Sequence, residues 1–231
     1  MRYSTLLFDF DHTLLDSDES ERLAYAHTMA ITGLTNPDSH FDRYVTINRE
    51  MWIAVEAGDL QPTEVRHRRF ERFVEELGLD ADPHAMAEAF VAGLGRFGGL
   101  YPGARQLRSM VAADARLAMV TNGLSEVQRA RIDRLDLGRY FHTVVISSEV
   151  GVTKPRSEIF DHAFAGLGEP DRATALMIGD SPTSDIAGGR NYGIDTCWYR
   201  RSAVPSDAEV VGATYEVTSL DEIPAIVRGG T

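Results

Sequence analysis

Ser4-Thr5-Leu6-Leu7-Phe8-Asp9-Phe10-Asp11-His12-Thr13-Leu14 (residues 4–14) carries an apolar run that stops abruptly at two carboxylates. The run Ser4–Phe8 is too short for a helix and reads as a strand covered on both faces. Two carboxylates two positions apart at a strand end are costly unless something neutralises them. A hard cation with oxygen ligands does so. One such carboxylate can attack phosphorus, and the other can protonate a leaving oxygen and later activate water. A bare D-x-D is also an ordinary capped turn. The strand before it and Thr13-Leu14 after it argue for the chemical reading.

Working outward, the same strand type recurs at Arg116–Val120, Val144–Ser147, Ala175–Ile178 and Thr196–Tyr199. Helical patterns lie between these runs, which predicts an α/β fold with a Rossmann-like parallel sheet and helices on both faces. Ser125–Leu135 reads as a helix with Ser125 as its N-cap, and Pro155–Leu167 as one opening on Pro155. Gly138, Gly168 and Gly193 stand where helices should stop. The rhythm breaks over residues 17–98. There Asp38–Ala57, Pro62–Leu77 and Asp82–Phe97 follow one another as amphipathic helices with no strand between them. The expected organisation is a core of residues 1–16 and 99–231 with an all-helical insert at 17–98. Gly98-Gly99 and Pro102-Gly103 mark the return to the core.

Three further clusters each follow a predicted strand, on the side of a parallel sheet where ligands bind. Thr121-Asn122-Gly123 precedes a helix, and a hydroxyl with free N–H groups there makes an anion site. Lys154-Pro155 closes the stretch Gly151–Pro155, where a lysine can meet both a phosphate and a carboxylate. Gly179-Asp180-Ser181-Pro182-Thr183-Ser184-Asp185 places Asp180 at a strand end and Asp185 in the next turn. Both can serve one Mg²⁺, directly or through water.

Composition narrows the function classes. The chain has 231 residues and a net charge of -12, which disfavours binding of extended nucleic acid. The candidate basic patch Arg66-His67-Arg68-Arg69 with Arg72 lies among Glu64, Glu71, Glu75 and Glu76, so it reads as a solvated helix face. No apolar run is long enough to span a bilayer and the N-terminus does not read as a secretory signal, so the expected location is the cytoplasm. The single cysteine, Cys197, is expected as a buried thiol. The histidines other than His12 are scattered along the chain and suggest no metal site. All but one of the 23 basic residues are arginine, the exception being Lys154. A compact ammonium and a planar fork are not equivalent in a tight site, so this lysine stands where arginine would not serve.

Together the four clusters resemble the haloacid dehalogenase (HAD) superfamily of phosphatases. D-x-D-x-T, a strand-end Thr, a Lys before Pro and G-D-S-x-x-x-D occur in the family's order. The resemblance implies Asp9 as nucleophile and Asp11 as general acid/base, with Thr121 and Lys154, beside Asn122 and Gly123, holding the phosphoryl group. It implies Mg²⁺ held by Asp9, the Asp11 carbonyl and Asp180, with Asp185 in support, and a helical cap at residues 17–98. His12 occupies a position that is often Gly and is expected to shape the loop. The segments Asn48–Trp52, Arg69–Glu71, Ile146–Val152 and Asp195–Trp198 are similar to the pyrimidine 5′-nucleotidase branch, which acts on nucleoside monophosphates. Trp52 is then a candidate for base stacking, against an ordinary core role. The expected partner is a small phosphorylated metabolite, with the protein a monomer or homodimer and neither nucleic acid nor membrane involved. Rival readings are a sugar-phosphate or phosphoglycolate phosphatase, a phosphomutase, and a phospho-accepting regulatory domain.

Overall fold

The computed structural model describes residues 1–34, 38–106, 115–201 and 212–229. Six parallel strands form one sheet in the order β3-β2-β1-β4-β5-β6. They are β1 Thr5–Phe8, β2 Arg116–Thr121, β3 Thr143–Ile146, β4 Ala175–Gly179, β5 Asp195–Tyr199 and β6 Tyr215–Val217. The α/β expectation therefore holds, with the run that opens the reading at the centre of the sheet. β1 pairs with β2 through Phe8↔Met119 and with β4 through Phe8↔Ile178. Every residue of β1 is buried, as a strand between two neighbours and under two covered faces requires. One covering layer comes from the helix Glu158–Gly166, whose Ile159, Phe160, Ala163 and Phe164 pack on Leu7, Ala118, Val120 and Met177.

The chain divides into two compact units. One is Met1–Asp16, Leu100–Asn122 and Asp136–Thr231; the other is Ser17–Gly99 with Gly123–Leu135. The second unit is helical: α1 Ser17–Thr32, α2 Asp38–Ala57, α3 Pro62–Leu77, α4 Pro83–Arg96 and the helix Ser125–Arg134. Its core is an aromatic cluster of Tyr25, Tyr44, Phe70, Phe73 and Phe90. The sequence reading placed residues 123–135 in the sheet unit, whereas their contacts lie with α4. The Arg131 Nε donates to the Leu94 carbonyl (2.9 Å), and Arg134 donates to the carbonyls of Gly95, Phe97 and Gly98. These arginines satisfy carbonyls at the end of α4 that the helix itself leaves open.

Several local expectations shift. The N-cap position before Ser125 is Leu124, so the helix begins one residue earlier than a Ser cap implies. Pro155 does not open a helix: the helix starts at Glu158, and the Lys154–Pro155 peptide is cis. After the helix ending at Arg134, Asp136 takes the left-handed conformation (φ 54°), while Gly138 begins a short 3-10 turn. Gly193 caps its helix at φ 78° as expected. Cys197 is a buried free thiol in β5, and burial pushes its pKa up to about 12. No helix among the described residues is long and apolar enough to cross a membrane.

Candidate active site

β1 and β4 are neighbours, so the residues that follow them leave the sheet side by side. The Asp9 amide donates to the Ile178 carbonyl (2.9 Å), which extends the parallel ladder one residue past β1 and fixes the Asp9 backbone. Asp180 follows β4 directly, and its carbonyl accepts from the Trp198 indole Nε1 (2.9 Å), anchoring it to β5. Asp185 lies in the turn Pro182–Ile186, with Oδ2 accepting from the Ser181 amide (3.0 Å). The side chain of Asp185 folds back over β4: a Cβ on Gly179 would stand 2.2 Å from its Oδ2. Only glycine leaves that space open. As a result Asp9, Asp180 and Asp185 each offer a carboxylate oxygen, all within 4.8 Å of one another.

Lys154 is 1% exposed, and its Nζ donates to Asp9 Oδ1 (2.7 Å) and Asp185 Oδ1 (2.6 Å). Asn122 clamps the backbone behind it. The Lys154 amide donates to Asn122 Oδ1 (2.9 Å), and Asn122 Nδ2 donates to the Lys154 carbonyl (3.0 Å). The Asn122 side chain is thus committed to holding the lysine. Thr121 is the last residue of β2 and is fully buried. Gly123 falls in the helical unit, where a Cβ would meet the Gln128 side chain at 2.7 Å. His12 has φ 61°, the left-handed region that favours glycine, which explains why a glycine so readily stands at such a position. Its amide donates to the Leu15 carbonyl (3.1 Å) and closes the loop.

The charges are poorly balanced. Burial pushes the Asp9 carboxyl up to about 7; Lys154 opposes the rise, and the charges of Asp185 and Asp11 add to it. Asp180 is raised well above the usual carboxylate range by burial, then by Asp9 and Asp185, while Arg201 and Lys154 oppose. The Arg201 Nε is 3.6 Å from Asp180 Oδ2. Burial would lower the Lys154 pKa, but its pairs with Asp185 and Asp9 outweigh this and hold it raised. Three clustered carboxylates, those of Asp9 and Asp185 buried and that of Asp180 half-buried, with one lysine between two of them form an oxygen donor set of net negative charge. That set fits a hard divalent cation such as Mg²⁺, which oxygen ligands suit and whose charge would return the carboxyls to their ionised forms.

A family model for haloacid dehalogenase-like hydrolases matches residues 3–193. The chain belongs to this family. It is an enzyme, a hydrolase, as the motif reading expects. It is 33% identical to the pyrimidine 5′-nucleotidase YjjG of Escherichia coli, over 98% of this chain and 99% of that protein. It is also 33% identical to the pyrimidine 5′-nucleotidase PynA of Streptococcus pneumoniae, over 96% and 94%. Among solved structures, the putative HAD-hydrolase YfnB of Bacillus subtilis bound to magnesium superposes with a TM-score of 0.88 at 34% identity, covering 98% and 99%.

Some residues of this HAD hydrolase escaped the sequence reading. Neither Trp198 nor Gly179 carries a reactive group that sequence would single out; the fold gives each a positioning role, Trp198 by anchoring Asp180 and Gly179 by leaving room for Asp185. In the helical unit, Arg69 is 2% exposed and does not belong to a solvated face. Its Nη1 donates to Asn48 Oδ1 (3.2 Å), and Asn48 Nδ2 donates to Glu21 Oε1 (2.5 Å). Burial pushes the Glu21 carboxyl up to about 7, against Arg69 and Asn48, which pull it down. The neighbouring Arg68 and Arg72 do behave as surface residues, paired with Glu64, and with Glu50 and Glu76. Trp52 is half-buried against Val55, Leu60 and Val65, the core role rather than a free stacking surface.

Proposed function

We propose that this chain is a Mg²⁺-dependent phosphomonoester hydrolase that works through an aspartyl-phosphate on Asp9. The observation that carries the reading is the buried Lys154 ammonium joined to Asp9 at 2.7 Å, beside two further carboxylates. Asp9 attacks the phosphorus, an Asp9–phosphorus bond forms, and the ester P–O bond breaks. Asp11 gives its proton to the departing alcohol oxygen. Water then attacks the phosphorus as Asp11 takes its proton, the acyl phosphate P–O bond breaks, and inorganic phosphate leaves with Asp9 restored. Lys154 and Thr121 hold the phosphoryl oxygens, and Asn122 keeps Lys154 in place. Asp9, the Asp11 carbonyl and Asp180 would hold Mg²⁺, with Asp185 supporting. The bound cation supplies charge neutralisation, so that two anions can meet.

The substrates we propose are nucleoside 5′-monophosphates, with pyrimidine bases preferred. The similarity to two pyrimidine 5′-nucleotidases over nearly the whole chain supports this. The test is kcat/KM for uridine and cytidine monophosphates against hexose phosphates and phosphoglycolate, with Mg²⁺ and after exhaustive chelation. Asp9→Asn serves as the control, expected to fold and to lose turnover. A sugar phosphate outperforming every pyrimidine monophosphate would refute the substrate, and full activity of the chelated enzyme would refute the metal. Turnover by Asp9→Asn near wild type would refute the covalent step.

A further inference from the structure

The histidines read as scattered along the sequence do not all stay apart. His67 on α3 and His84 on α4 come together with ring centroids 4.3 Å apart. Glu88 lies one turn after His84 on the same helix. Each of the three offers a ligand atom, and those atoms all lie within 4.8 Å of one another. We propose that His67, His84 and Glu88 form a binding site for a first-row transition ion of the Zn²⁺ type, clipping α3 to α4 in the helical unit.

Two observations carry this beyond a chance cluster. The Nδ1 atom of His67 is buried without a hydrogen-bond partner, a cost that coordination would remove. The spacing is also right: residues four apart on a helix share a face, and the third ligand arrives from the neighbouring helix. Glu88 is held by Arg66 through both of its carboxylate oxygens, so an ion has to take one of them from the guanidinium. The Arg66 Nε donates to Glu88 Oε1 (3.1 Å) and Nη2 to Oε2 (2.5 Å), and the guanidinium also pairs with Glu126, which keeps a partner for it when Glu88 turns to the ion. Two ligands on a tetrahedral ion with bonds of about 2 Å stand about 3.3 Å apart. His84 and Glu88 are exposed and can close the remaining distance by side-chain rotation.

The donor set separates this site from the one in the sheet unit. Three carboxylates suit Mg²⁺, whereas two imidazoles and one carboxylate suit Zn²⁺, Co²⁺ or Ni²⁺. The two sites should therefore fill independently. The proposal does not depend on the substrate or on Asp9 chemistry.

The experiment uses the full chain in millimolar Mg²⁺, titrated with Zn²⁺ by calorimetry and with Co²⁺ by absorption spectroscopy. The wild type should bind one Zn²⁺ with micromolar affinity and melt several degrees higher in its presence. His84→Gln, at an exposed position, should keep the metal-free melting temperature of the wild type. It should weaken Zn²⁺ binding at least about tenfold and abolish the thermal gain. His67→Ala should do the same. Zn²⁺ binding and stabilisation that persist unchanged in His84→Gln would overturn the proposal, as would a wild type that binds no Zn²⁺ at micromolar concentration.

Discussion

Lys154→Met keeps the length of the side chain and removes its charge, which isolates what the ammonium does. Two bonds of 2.7 and 2.6 Å to Asp9 and Asp185 are lost at a position that is 1% exposed. Removing one preorganised donor to a developing charge costs about 10²–10³ in kcat. A second effect follows from electrostatics. The Lys154 charge and its hydrogen bond both hold down the Asp9 carboxyl, which burial has already raised to about 7. Without them Asp9 titrates higher still, so the acid limb of the kcat/KM profile should move up at Mg²⁺ levels low enough for a proton to compete for that carboxylate. Lys154→Arg separates the two effects. It keeps the charge, so the limb should stay near that of the wild type. The planar fork cannot occupy the same enclosed space, so kcat should still fall at least about tenfold. Overpacking there should also cost about 1–3 kcal/mol of stability, although charge conservation alone predicts little change. The assays are pH–rate profiles at limiting and at saturating Mg²⁺, the first reading the acid limb and the second kcat, and thermal melts of all three proteins. Lys154→Met with more than a tenth of wild-type kcat and an unmoved acid limb would refute the reasoning.

Two further outcomes are expected. Gly179→Ala should displace the Asp185 side chain, because the new Cβ would fall 2.2 Å from Oδ2; weaker Mg²⁺ affinity by calorimetry and about 1–3 kcal/mol lost in denaturant melts would follow. Glu21 titrates at about 7 in the folded chain, above its unfolded value. The native state then holds the extra proton between about pH 4.5 and 7, and stability falls as pH rises through that window. Glu21→Gln removes this penalty, on the order of 1–2 kcal/mol after allowance for partial exposure. Its melting temperature relative to wild type should climb from pH 5 to pH 8, and a constant difference would show that Glu21 is ionised throughout.

Much of this protein follows from order along the chain. Short apolar runs ending in Asp9, Thr121 and Asp180 determine a parallel sheet, because strands covered on both faces leave the periodicity of neither an amphipathic helix nor a half-exposed strand. Glycines and prolines between amphipathic stretches determine the helices of residues 38–97 almost to the residue. A lone lysine among arginines marks Lys154 before any contact is known. The strand β6 was not legible, since three residues carry too little pattern. Nor was the placement of the helix Ser125–Arg134, because amphipathicity says that a face is buried but not against which partner. Side-chain neighbours far apart in sequence belong to the tertiary structure alone. Asn122 reads only as part of an anion-binding turn until the fold sets the Lys154 backbone against its side-chain amide. Arg69 reads as a surface charge until α2 and α3 bring Asn48 to it. His67 and His84 read as unrelated until two helices lay their rings together. In each case the residue type permits several roles, and the distance to a group many positions away selects one of them.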